Sequence, residues 1–238
     1  MSEIQIPYGP ARIENNAYKN CKEATSVVIP SNITEIGDMA FYGCENLTTV
    51  DIPPTVKSIG NLAFAGCTGL TAINLPEGLT NIGKAAFSGC INLTTIVLPA
   101  SVKSIENDLF CRCTSLESIN IPVGITSVGY GAFSSCRKIT TIEVPDGVMT
   151  IATSAFTGCV NLVSVLLPQS LMTVGPLAFS NCRSLNSIEI KAERPPKLDA
   201  TTFDNCPLLY ISLAVPNGSS KSYSASSFWG KFGYIVEK

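Results

Sequence analysis

The stretch LTTVDIPPTVKSIGNLAFAGC, residues 47–67, holds the pattern that decides the fold. Thr49, Val50, Asp51 and Ile52 alternate polar and apolar, as in a strand with one wet and one buried face, so Val50 and Ile52 point inward. Pro53 cannot donate to a ladder and ends the strand. Val56 and Ile59 follow three residues apart, with Gly60 after them, as a second short extended stretch or tight turn on the opposite wall. Ala63, Phe64, Cys67 and Leu70 are then apolar at i, i+1, i+4 and i+7, which predicts one to two turns of helix laid on the back of the sheet.

Outward from this stretch the same line recurs every 23 residues. Cysteine returns at Cys21, Cys44, Cys67, Cys90, Cys113, Cys136, Cys159 and Cys182, with Cys206 one residue late. An aromatic stands three residues before each, from Tyr18 through Phe41 to Phe203, and a proline keeps the same step from Pro7 to Pro168. A fixed period between about 20 and 50 residues marks stacked repeats, in which each unit packs mainly on its neighbours and all share one core. Residues 1–190 therefore read as a solenoid of about eight coils, partial at its N-terminus. Residues 191–238 lose the phase: Lys191 replaces the strand-ending proline, and Tyr223, Phe228, Trp229, Phe232 and Tyr234 gather in the tail. They read as an irregular last repeat and an aromatic cap over the final core layer, with an aromatic binding box as the alternative.

Two columns within the repeat need explanation. Glycine recurs at Gly37, Gly60, Gly83, Gly129 and Gly175, yet Glu106 and Ala152 hold the same place, so crowding between coils explains it better than a left-handed backbone. The ten cysteines invite a disulfide or metal reading, but nine form an inward ladder with about 4.8 Å between rungs. Pairing would distort that even spacing, so free, buried thiols acting as small hydrophobes are expected. Cys111 alone lies off the period, in a column of mostly small and polar residues, and is read as a rim position with an accessible thiol.

Composition narrows the function. The chain has 238 residues, 45% hydrophobic and 14% charged, with a net charge of −2 and no histidine. There is no basic stripe for nucleic acid, and no apolar run approaches the roughly 20 residues that span a bilayer. Without histidine the commonest general base and metal ligand are missing, so neither a metal nor a cofactor is expected. Asp51 and Glu143 stand four coils apart, about 19 Å at strand spacing, which is too far for an acid/base pair. No catalytic residue is therefore assigned, and the chain reads as a non-enzyme.

The unit L-x-x-I-x-I-P-x-x-V-x-x-I-G-x-x-A-F-x-x-C, visible as LTAINLPEGLTNIGKAAFSGC over residues 70–90, resembles the BspA type of leucine-rich repeat, also called the Treponema pallidum type. The tail from Val215 to Phe232 is similar to the terminal segment of bacterial members, while Leu109 and Arg112 depart from the pattern. The resemblance implies a leucine-rich-repeat-like solenoid, α/β or mainly β, right-handed and curved, with a concave parallel sheet and short helical turns on the other side. It also implies a bacterial protein, at the cell surface or secreted, that engages host proteins or cells. Residues 1–12 show no signal-peptide pattern, which leaves an intracellular location as the alternative.

On a curved solenoid the exposed sheet face is the expected binding surface. Its outward positions fall in two columns. One is small and nearly uniform, including Thr49, Thr95 and Thr141. The other varies from coil to coil: Val28, Asp51, Asn74, Val97, Asn120, Glu143, Leu166 and Glu189. Variation on a regular frame is where specificity would be written, so these eleven residues are the candidate face for a protein or glycan ligand. A structural scaffold repeat within a larger protein is the competing reading, and the pattern specifies no oligomeric state.

Overall fold

The structure, a computed structural model, describes residues 2–238 as a parallel-strand solenoid of about 10 turns. The main strands stack in register one coil apart: Ser26, Val27 and Val28 of Ala24–Val28 pair with Thr49, Val50 and Asp51 of Thr49–Asp51. Farther along, Thr141–Glu143, Ser164–Leu167, Ser187–Ile190, Ser212–Val215 and Tyr234–Glu237 form one continuous sheet. The alternation in the sequence is realised: Val50 and Ile52 are buried, whereas Thr49 and Asp51 are exposed. A second wall of two-residue strands runs through Arg12–Ile13, Glu35–Ile36, Ser58–Ile59 and Asn81–Ile82, and again from Ser127–Val128 to Lys197–Leu198. The glycine that follows most of these strands is a matter of space: a Cβ on Gly60 would stand 2.6 Å from the Asp38 nitrogen, and one on Gly83 2.5 Å from that of Asn61.

The third side is built from consecutive turns where helix is expected from the sequence. Ala65 N–H donates to Leu62 at 3.1 Å and Cys67 N–H to Phe64 at 3.2 Å, closing i to i+3 turns. The intervening N–H groups of Leu62, Phe64 and Gly66 reach Lys84, Ala86 and Ser88 of the next coil, each at 2.8 Å. Leu62 and Gly66 sit at φ +56° and +73°, and these left-handed residues rotate alternate amides onto the solenoid axis. A helix would keep those donors to itself; the turns spend half of them on tying coils together. The apolar i, i+1, i+4, i+7 pattern thus marks the inner face correctly, on a different element.

That inner face carries the core. Rings stack from Tyr18 through Phe41, Phe64, Phe87, Phe110, Phe133, Phe156 and Phe179 to Phe203, with centroids 5.2 to 5.7 Å apart and planes within 18° of parallel. Beside them the ten cysteines are all free thiols. Every ladder sulfur from Cys44 to Cys206 has a donor role that the sequence does not announce. Cys67 Sγ donates to the Phe41 carbonyl at 3.2 Å, and the same oxygen accepts the Cys44 N–H at 3.2 Å. The thiol fills the second lone pair of a buried carbonyl, so cysteine combines small volume with satisfaction of a polar atom.

At the C-terminal end the stack meets the tail. Phe203 is met edge-on by Trp229 at 6.1 Å and by Phe232 at 5.4 Å, where a further coil would place its ring. Buried Trp229 and Tyr223 anchor their polar tips, Nε1 to the Pro196 carbonyl at 2.8 Å and the hydroxyl to the Ala192 carbonyl at 2.7 Å. These bonds let two large amphipathic rings cover apolar surface without stranding a donor.

Candidate functional site: the outward face of the main sheet

Strand alternation turns two columns of the main sheet outward, one on either side of each inward residue. Val28, Thr49, Asp51, Asn74, Thr95, Val97, Asn120, Thr141 and Glu143 are exposed, while Leu166 and Glu189 are half-buried. Register brings them into rows. Val28 pairs with Asp51 and Asp51 bridges to Asn74; Glu143 lies beside Leu166, and Leu166 beside Glu189. Val28 and Val97 are apolar and 50% and 67% exposed.

Three cavities lie along this face. One of about 180 Å³ is lined by Asn74, Thr95 and Val97. Another of about 490 Å³ is lined by Ser118, Asn120, Val123 and Glu143, and a third of about 280 Å³ by Thr141, Glu143, Leu166 and Glu189. The largest coincides with a break in the sheet: among the described residues, no strand pairing joins Ser118–Ile119 to Thr141–Glu143. The turn row and the Phe110–Phe133 stack continue behind it, so the coils stay joined at the back while the front opens.

Not all eleven candidates are free to bind. Asn120 Nδ2 donates to the Leu98 carbonyl at 2.9 Å and its Oδ1 accepts the Leu98 N–H at 3.0 Å. Its amide imitates a ladder peptide in the coil where the sheet breaks, so its side chain serves the frame. Glu189 is paired with the ammonium of Lys238, whose own N–H donates to Val215 at 2.9 Å. Val28, Thr49, Asp51, Asn74, Thr95, Val97, Thr141 and Glu143 are left exposed, a neutral-to-acidic strip with apolar positions at Val28 and Val97. Val123 is a member that the sequence pattern does not disclose; it follows the strand-ending proline, off the alternating column, and is 70% exposed.

Other candidate groups behave differently. Cys111 is half-buried, and burial together with the Asp108 carboxylate pushes its thiol above the usual range. The rim thiol is therefore a weaker nucleophile than its column suggests. The fully buried ladder thiols are raised further, Cys159 to about 12, because desolvation opposes the thiolate. The amides in the Asn-x-Thr sequences at Asn46 and Asn92 donate to the preceding coil, to Lys22 and Thr68 at 2.8 Å each. Among the described residues no helix is long and apolar enough to cross a membrane.

Comparison with known proteins places this frame. A leucine-rich repeat protein from Bacteroides ovatus is 26% identical and superposes with a TM-score of 0.77, over 99% of this chain and 68% of its own. The Treponema pallidum leucine-rich repeat protein is 29% identical with a TM-score of 0.51, over 73% of this chain and 71% of its own. A leucine-rich cell surface protein from Faecalibacterium prausnitzii is 25% identical with a TM-score of 0.53, over 99% of this chain and 87% of its own. No significant match exists among curated proteins. The BspA type leucine-rich repeat region matches in six copies over residues 1–117 and 103–230. The chain belongs to the BspA-type leucine-rich repeat family.

Proposed function

We propose that this chain is a non-enzymatic binding module that recognises a protein or glycan through the outward face of its main sheet, at a cell surface. The observation that carries this reading is the coincidence of three cavities with the coil-variable column on one face. A frame in which every coil repeats the same inner residues leaves that column as the place where coils differ, and the cavities give it relief that a ligand can fill. Asp51 and Glu143 make the strip acidic, and Val97 and Val123 give it apolar anchors. Such a strip complements a partner with basic groups beside apolar ones. The location draws support from the surface protein of Faecalibacterium prausnitzii that shares the fold.

The test is a glycan array and a pull-down from host-cell surface extract, with wild type beside Asp51→Lys/Asn74→Lys/Val97→Lys. A control variant, Lys57→Glu/Lys84→Glu, changes exposed charges off the main strands. Loss of a captured ligand in the first variant and retention in the control is the expected result. Equal capture by both variants would sink the face assignment, and no capture by wild type would favour a scaffold role.

A further inference from the structure

The last rung of the cysteine ladder departs from the others. Cys206 follows Cys182 by 24 residues where the period is 23, and it is half-buried while Cys182 is fully buried. Cys206 Sγ donates to the Phe179 carbonyl at 3.0 Å, and that oxygen also accepts the Cys182 N–H at 3.2 Å. The Asn181 N–H donates to the Asp204 carbonyl at 2.8 Å, holding the two turns side by side. Coils about 4.8 Å apart lie within the Cα separation of about 4.4–6.8 Å that a disulfide spans.

Cys182 holds its own acceptor loosely. Its Sγ donates to the Phe156 carbonyl at 3.4 Å, the longest such contact in the ladder. The neighbouring Cys182 thiol holds the Cys206 thiol below its usual range, against burial and the Asp204 carboxylate, while Cys182 is held above its own. Cys206 lines a cavity of about 240 Å³ between the last coil and the tail, walled by Phe203 and Phe232 and edged by Asp199, Asp204 and Lys231. The inner rungs combine full burial with no such opening.

We propose that Cys206 and Cys182 form a thiol–disulfide exchange site for low-molecular-weight disulfides, with Cys206 as the attacking sulfur and Cys182 as the resolving one. In the first step the Cys206 thiolate attacks one sulfur of the small disulfide; the S–S bond breaks and the leaving thiolate takes up the proton that Cys206 has lost. In the second, Cys182 gives up its proton and attacks Cys206 Sγ, forming the protein disulfide and expelling the second small thiolate, which is protonated in turn. The balance is two protein thiols and one small disulfide consumed, one protein disulfide and two small thiols formed. Two carboxylates against one ammonium at the rim favour a cationic disulfide over an anionic one. The product would staple the last coil to the turn beneath the tail.

The experiment incubates the folded, reduced protein with cystamine and follows intact mass and peptide maps. Wild type should lose two hydrogens, retain no adduct, and yield a Cys182–Cys206 cross-linked peptide. Cys182→Ala should trap a cysteamine adduct on Cys206, Cys206→Ala should leave Cys182 unmodified, and circular dichroism should show both variants folded. An anionic aromatic disulfide should react at Cys206 at least several-fold more slowly than cystamine. A persistent adduct on Cys206 in wild type, first modification at Cys111, or oxidation spread over the inner rungs would each overturn the proposal.

Discussion

Replacing Phe133 by alanine tests the central physical claim, that a stack of rings and not the sheet alone holds the coils. The Phe133 ring has no solvent exposure and lies 5.6 Å from Phe110 and 5.3 Å from Phe156. Truncation of a buried phenylalanine costs about 3–5 kcal/mol through lost transfer free energy and the cavity left behind. The two stacked partners add about 0.5–1.5 kcal/mol each beyond area, which places the value in the upper half of that range. Collapse of the site is opposed on both sides: Phe133 N–H is tied to Ala155 at 2.8 Å and Phe110 N–H to Ala132 at 2.7 Å, so the backbone cannot close the gap. Equilibrium urea unfolding supplies the measurement, followed by circular dichroism for the sheet and by the fluorescence of the sole tryptophan, buried Trp229, for the C-terminal end. A repeat chain weakened in the middle should unfold its two halves at different midpoints, so the two probes should separate in the variant and coincide in wild type. A loss below about 1 kcal/mol, well under the usual cost of such a cavity, would refute the reasoning.

Two further outcomes follow from the backbone and from the tail. Arg112 stands at φ +62°, where Gly66, Gly89 and Gly158 stand at +73° in other coils; a left-handed residue with a Cβ costs about 1–2 kcal/mol, so Arg112→Gly should raise stability in urea by roughly 1 kcal/mol after glycine's own chain entropy. Unchanged or lower stability would show that the arginine side chain compensates for its conformation. The Ser220 side chain and its N–H, the latter at 3.0 Å, hold the Glu237 carboxyl below its ordinary value, and the Thr201 N–H at 2.9 Å does the same for Asp199. Stabilisation from a lowered carboxyl is present above its unfolded pKa of about 4 and is lost as pH falls through the folded value. Acidification from about pH 5 to pH 3 should therefore loosen the C-terminal segment, seen as a red shift of Trp229 emission that Glu237→Gln diminishes.

Much of this architecture is written in the chain because the repeat is quasi-one-dimensional. When each coil packs only on its neighbours, one unit read correctly is nearly the whole protein, so the alternation at Thr49 to Ile52, the proline stop and the inward Phe and Cys columns could be read without coordinates. The crowding at Gly60 was legible for the same reason, since Glu106 and Ala152 argue against a positive φ in that column. The Ala63 to Leu70 segment was not, because an apolar stripe of period near 3.6 is shared by a helix and by a string of turns; what separates them is the left-handed backbone at Leu62, a residue that gives no local sign of it. The sulfur-to-carbonyl bonds, the Asn120 amide in the broken ladder and the Lys238 ammonium on Glu189 each join groups at least 22 residues apart. Sequence by itself determined which face of each coil is buried and which column varies, since both follow from local periodicity. Only the tertiary structure decided which exposed residues are free to meet a ligand and which thiol meets a cavity, because those depend on what the neighbouring coil and the returning tail place beside them.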